Sequence, residues 1–354
     1  MAIVGAGVVG LAVAYLLSGK GKRVVVIEKE SGAGTGVTAG QANVIHVVQL
    51  PFGSLKSRLA RKGNAMYDGL CRELGVDLKR MPALLVVRRW LMVPPLLFAF
   101  VYLRLELGGE FRVRLMRGSR LRKIEPLLAK GVIGGLAVDG YGTVDVLALV
   151  SRLREGAAAR GARFLFDCRV TSATPQGGTT SLQTTCGSVK ARLVVNAAGL
   201  YSDDMAQALG RDLGRLEPGL GVMAVYSELP VSCIVAPLPV GVGSRTKGGA
   251  IIPATDGTVI VGPTLRAAKS KEDRAHTEED LDLLKAKFDP LLEAGGSLVR
   301  VYAGVRPLSP TRDFIVEFDR ERRAVNLVGI ESPGLTAAPA IADMVVRMIS
   351  EADR

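Results

Sequence analysis

Gly5-Ala6-Gly7-Val8-Val9-Gly10, with Glu28 further along, is the stretch that decides the fold. Met1 to Val4 reads as a short buried strand, and Val8 to about Ser18 as the helix that follows it. The first glycine permits the tight turn out of the strand. The second lets backbone N–H groups approach a pyrophosphate, and the third lets the helix pack close to the sheet. The helix points its positive N-terminal end at the phosphates. Gly19 and Gly21 end it, and Arg23 to Ile27 is an apolar, β-branched run that reads as a second strand. Glu28 then stands where a carboxylate accepts hydrogen bonds from an unphosphorylated ribose. A lone glycine fingerprint is weak. This one lies inside a βαβ unit of roughly 30 residues with the acid at a suitable distance, so it predicts a bound dinucleotide.

The 354-residue chain is long enough for two domains or one large one. Its net charge is +12, which fits nucleic acid, an anionic membrane surface or an anionic substrate. The charges are spread along the chain, aromatic residues make up only 5%, and no zinc-ligand spacing occurs. Nucleic acid is therefore not expected as a partner. Cys71, Cys168, Cys186 and Cys233 form no CxxC, which argues against a metal cluster and a disulfide framework and suits a reducing compartment. Met1 to Leu17 is apolar but lacks a basic leader region, so no signal peptide is expected. A cytoplasmic location follows, with the inner face of the cell membrane as an alternative.

Further along, Lys29 to Gly40 reads as a loop, and Ser54 to Leu74 as a helix stopped by Gly75. Leu84 to Val87 is a strand candidate. Val144 to Arg160 reads as an amphipathic helix capped by Asp145 or Thr143. Arg163 to Phe166 and Leu193 to Val195 read as strands around a polar meander. Ala250 to Ile252 and Val259 to Val261 flank Asp256-Gly257, a hairpin signal. Thr277 to Phe288 reads as a surface helix, Val325 to Val328 as a strand and Leu335 to Ser350 as a last helix. The odd segment is Trp90 to Leu103, WLMVPPLLFAFVYL, flanked by Arg88, Arg89 and Arg104. It is too short to span a bilayer, which takes roughly 20 residues, and Pro94-Pro95 is expected to break a helix there. It reads either as a buried segment or subunit contact, or as a surface dipping into lipid (peripheral membrane contact through 90–103).

Several stretches narrow the dinucleotide. These are Val194-Val195-Asn196-Ala197-Ala198-Gly199, Ala303-Gly304-Val305-Arg306-Pro307, and Gly329-Ile330-Glu331-Ser332-Pro333-Gly334-Leu335-Thr336. Val44-Ile45-His46 and Pro51-Phe52-Gly53-Ser54-Leu55-Lys56 complete the set. Together with the fingerprint, they resemble the D-amino-acid-oxidase-like flavoproteins. Within that family the chain is most similar to the branch of FAD-dependent glycerol-3-phosphate dehydrogenases and L-2-hydroxyglutarate oxidases. The resemblance implies an α/β architecture: a doubly wound, Rossmann-like FAD-binding domain with an inserted α+β, β-rich substrate domain. It divides the chain into 1–78, 140–214 and 299–354 for FAD, and 79–139 and 215–298 for substrate.

The resemblance also implies FAD as cofactor, a small anionic substrate, and a quinone or partner protein as electron acceptor. By it, Gly5, Gly7, Gly10 and Glu28 bind the ADP half. Lys29 and Thr38 are further cofactor-binding candidates, and Ala198 and Gly199 flank the site. Gly334, Leu335 and Thr336 lie by the flavin ring, where the positive end of the last helix suits charge developing at the N1/C2=O edge. Arg306, a planar fork, is the candidate anchor for a carboxylate or phosphate. His46 is the general-base candidate. Lys247, before Gly248-Gly249, is a candidate for a second anionic group, whereas His276 reads as an inert surface residue. The most favoured reading is oxidation of glycerol-3-phosphate. Oxidation of L-2-hydroxyglutarate, of another 2-hydroxy acid or of an amino acid, or a flavin-binding subunit of a larger complex, stand as alternatives. Two departures leave the substrate open: Gln41-Ala42-Asn43 stands where the family commonly has Asn-Ser-Gly, and Val47-Val48 replaces a small pair after His46.

Overall fold

The computed structural model describes residues 1–239 and 248–352. A six-stranded sheet forms around the fingerprint. Its order is Ile315–Asp319, Ala324–Val328, Val194–Asn196, Ala2–Val4, Val25–Ile27 and Arg163–Leu165. All neighbours are parallel except the first pair. Ala2–Val4 lies at the centre, with Ile3 opposite Val195 on one side and Val26 on the other. Helices cover the sheet, which is why its inner strands read as unbroken apolar runs. Helix Val8–Gly19 is buried on most of its surface, between helix Gly334–Ala352 and helix Val146–Ala159. This explains its lack of a polar face. Ser54 caps helix Leu55–Leu74 by accepting from the Ser57 N–H, and Asp145 caps Val146–Ala159 by accepting from the Ala148 N–H.

Close packing at the first turn depends on two glycines. Gly5 has φ +103°, and a Cβ there would lie 2.4 Å from the Ala197 carbonyl oxygen. A Cβ on Gly10 would lie 2.1 Å from the Gly5 oxygen. Gly10→Ala is therefore expected to push the helix off the strand, at about 1–3 kcal/mol for overpacking. The check is a lowered Tm together with loss of visible flavin absorbance from the purified protein.

A ten-stranded sheet forms the second layer. Its path runs Arg266–Ala267, Glu217–Ser227, Val259–Gly262, Ala250–Pro253, Ile234–Pro237, Leu78–Val87, Gly134–Val144 and Val44–Ile45. Ser297–Leu308 pairs with Glu217–Ser227, and Val113–Arg117 with Gly134–Val144. The expected hairpin around Asp256-Gly257 forms, with Ile251 opposite Val261. Strand Ser297–Leu308 belongs to this sheet along its whole length. The division expected at 299 falls within this strand.

Three expectations are overturned. Pro94 and Pro95 do not break a helix; they begin one, Val93–Leu107, at positions where the missing N–H has no intrahelical partner to lose. Nor is 90–103 a buried segment: Trp90, Leu91 and Phe98 are 77%, 85% and 72% exposed. The cysteines also pair. Strands Val170–Gln176, Thr179–Thr184 and Gly187–Ala191 fold into a small antiparallel sheet, and this brings Cys168 and Cys186 together as a disulfide. The meander closes a gap that spacing alone did not reveal. Cys71 and Cys233 are free and buried.

Candidate active site

A cavity of about 830 Å³ lies between the two sheets. At one end are Gly5, Gly7, Glu28, Lys29, Thr38, Ala198 and Gly199. Glu28 is fixed by two backbone donors: the Ala6 N–H to Oε2 at 2.7 Å and the Glu30 N–H to Oε1 at 3.0 Å. Each carboxylate oxygen keeps a lone pair for a ribose hydroxyl. The Thr38 hydroxyl accepts from the Val8 N–H at 3.1 Å, which ties the following loop over the first turn of the helix. Lys29 and Lys271 place ammonium groups 4.7 and 5.1 Å from the centre of the Tyr201 ring. A dinucleotide fits this end: bare backbone at Gly7, a fixed acid and a helix N-terminus, with Lys29 and Lys271 themselves paired to Glu30 and to Asp203 and Asp204. Gly10 does not line the cavity and acts through the packing described above.

The other end is built by residues far apart in sequence. Strand Val44–Ile45 pairs with Gly134–Val144 and runs against the last helix. His46 follows that strand and faces the cavity. Its backbone N–H donates to the Thr336 hydroxyl at 3.0 Å, and its Nδ1 lies 3.3 Å from the same oxygen. The Thr336 hydroxyl donates its own proton to the Val44 carbonyl at 3.3 Å. Its lone pairs therefore accept from the imidazole, which puts the proton on Nδ1 and leaves Nε2 as the basic nitrogen. Asn64 donates to the His46 carbonyl at 2.8 Å. Burial, reinforced by the Arg306 charge, lowers the His46 pKa to about 4, with a hydrogen bond to Val44 acting in the opposite sense. The imidazole is thus neutral at pH 7, with its proton-free nitrogen open to a hydrogen-bond donor.

Arg306 also lines the cavity, from strand Ser297–Leu308. Burial lowers its pKa, and the Glu331 carboxylate opposes that shift. No described residue hydrogen-bonds to or pairs directly with its guanidinium, so the fork is available to a ligand anion. Tyr141 also lines the cavity. Burial raises its pKa to about 12, so it stays a phenol, with its oxygen accepting from the Val48 N–H at 3.2 Å. Gln41, Ala42 and Val48, all at positions that depart from the family pattern, line the same space.

Gly334 and Leu335 line the cavity where helix Gly334–Ala352 begins, as expected. Thr336 does not. It is fully buried, and its hydroxyl holds His46 in place. Its backbone still follows Gly334 and Leu335 at the start of the same helix, and its hydroxyl lies between His46 and Val44. Lys247 lies outside the described residues. His276 is exposed, as expected.

Sequence reasoning missed the brace beneath this end. Lys56 is buried, donates to the Arg312 carbonyl at 2.6 Å and lies 3.7 Å from the Glu331 carboxylate. Asp313 accepts from the Leu55 and Lys56 N–H groups at 2.7 and 2.8 Å. The Tyr67 hydroxyl donates to the Leu335 carbonyl at 2.6 Å. The signal was present: Ser54-Leu55-Lys56 and Glu331-Ser332-Pro333 both carried the resemblance, but their contact is purely tertiary.

Comparison with known proteins gives the same picture. Residues 1–348 match the model of the FAD dependent oxidoreductase (DAO) family. The chain is 27% identical to a glycerol 3-phosphate dehydrogenase from Caloramator mitchellensis, over 99% of this chain and 73% of that one. It is 27% identical to a mitochondrial L-2-hydroxyglutarate dehydrogenase from Arabidopsis thaliana, over 97% and 82%. The fold superposes on dithionite-reduced L-α-glycerophosphate oxidase from Mycoplasma pneumoniae with FAD bound. There the TM-score is 0.90 at 26% identity, covering 99% of this chain and 94% of that one. With nearly every residue inside the family match, and a cavity whose nucleotide end suits the ADP half, this chain belongs to the FAD-dependent oxidoreductase family.

Proposed function

We propose that the protein is a glycerol-3-phosphate dehydrogenase that passes electrons to a quinone or another acceptor. The observation that carries this reading is that His46 and Arg306 line one cavity, a neutral imidazole and a buried guanidinium facing the same space. Arg306 holds the phosphate and so orients the carbon that bears the central hydroxyl. His46 Nε2 takes the hydroxyl proton. FAD held along Gly5, Gly7, Glu28 and Gly334 would supply the hydride acceptor for the C–H bond, so that oxidation leaves a ketone. The glycerol 3-phosphate enzymes among the relatives support this substrate.

A second reading has its own support. A guanidinium fork suits a carboxylate as well as a phosphate, and an L-2-hydroxyglutarate dehydrogenase is also a relative. Anaerobic addition of glycerol-3-phosphate, L-2-hydroxyglutarate and glycine, each to separate samples of FAD-loaded enzyme, decides between them. Rapid bleaching of the flavin by glycerol-3-phosphate is expected. Bleaching by L-2-hydroxyglutarate alone would move the assignment to 2-hydroxy acids, and bleaching by none would sink both readings.

A further inference from the structure

Helix Val93–Leu107 and the turn Trp90–Met92 before it present an apolar surface to solvent. Leu97, Phe98, Val101 and Leu105 recur at helical spacing and are 46%, 72%, 55% and 76% exposed. On the other flank Leu96, Leu103 and Leu107 are buried in the protein's own core. The solvent-facing stripe is thus as apolar as the core-facing one, which is the reverse of an ordinary surface helix. By length and composition alone, Trp90–Leu107 could cross a bilayer. Its packing forbids that, because crossing would pull the buried leucines out of the core. The helix can meet lipid only lying flat.

We infer that this face docks the protein in plane on an anionic lipid surface. Charge complementarity selects that occupant. Arg88 and Arg89 directly precede Trp90, Arg104 lies on the helix, and Arg112 and Arg117 lie on or next to the adjoining strand Val113–Arg117; all five are exposed. These exposed arginines flank the apolar segment and outnumber its exposed acids, Glu106 and Glu110, which suits lipid phosphates above acyl chains. A second copy of the chain would bring two such basic rims together and is disfavoured. Trp90, beside the arginines, has the amphipathic ring that settles at headgroup depth. Phe52 packs edge-on against Tyr102 of the helix at 5.5 Å, and Leu50, two residues before it in sequence, is 48% exposed and lines the cavity.

Trp90 is the only tryptophan in the chain, so its fluorescence reports on this face alone. The FAD-loaded protein is titrated with vesicles of phosphatidylglycerol and phosphatidylcholine, and separately with phosphatidylcholine alone. A blue shift with the anionic vesicles, weaker with the neutral ones and reduced by salt, is expected. Leu91→Asp with Phe98→Asp should lower the anionic-vesicle affinity by about tenfold or more. Both side chains are exposed, so the variant should keep its bound flavin and its activity with a soluble dye. Emission unchanged by anionic vesicles would overturn the inference. So would a dimer whose Trp90 emission is already blue-shifted without lipid and which the double variant converts to monomer.

Discussion

Replacing His46 by glutamine is expected to slow flavin reduction by about 10²–10⁴-fold, the usual worth of a positioned general base. Glutamine fills similar space and can still hydrogen-bond to Thr336, so bound FAD should be retained. Anaerobic stopped-flow reduction separates the rate of the chemical step from substrate binding. The pH dependence provides a second reading. His46 has a folded pKa of about 4 against an ordinary 6.5. A lowered histidine pKa means that the neutral base persists as the solution is acidified. The kcat/KM profile of a substrate that does not itself titrate in this range should stay flat through pH 6.5 and fall only towards pH 4. The same shift makes folding stability decline as pH drops from 6.5 towards 4, because the unfolded chain takes up the proton first. An acid limb at the ordinary histidine value, or an unchanged reduction rate in the variant, would remove His46 from the base role.

Arg306→Met should weaken binding of the anionic substrate by about 10²–10³-fold, the usual effect of removing one partner from a desolvated charge pair. Arg306→Lys should recover part of that loss, because the charge returns without the two-pronged geometry. A further consequence separates the anchor from a merely structural arginine. The Arg306 charge helps to hold down the His46 pKa. In the methionine variant the acid limb should therefore move upward, towards the ordinary value. A limb that stays in place, with substrate affinity unchanged, would show that the guanidinium acts elsewhere.

The nucleotide end was legible in the sequence because its parts are local. Strand, turn, helix and acid all fall within one βαβ unit, and each glycine's task follows from its position in that unit. The reacting end was legible only by resemblance. His46 meets Arg306 and the start of the last helix from a segment more than two hundred residues away, and no spacing rule links the three. Thr336 shows where the limit lies. Its place at the head of a helix was legible, but the contact of its hydroxyl with His46 and Val44 is tertiary and leaves no local pattern. The prolines at 94 and 95 were misread for a similar reason: a proline pair breaks a helix from within and starts one from the front, and only the boundary tells which. Cys168 and Cys186 needed the meander to meet.

The last helix has a bearing on how the chain folds as it is synthesised. Helix Val8–Gly19 is among the first elements made, yet one of its walls is helix Gly334–Ala352, among the last. The central strand Ala2–Val4 likewise waits for Val194–Asn196 on one edge. Most of the polypeptide must leave the ribosome before that apolar helix is covered. Contacts spanning so much sequence make closure slow, and the interval leaves a sticky segment open to self-association or to capture by chaperones. Yield on expression should therefore depend more on temperature and chaperone supply than the finished fold's stability would imply.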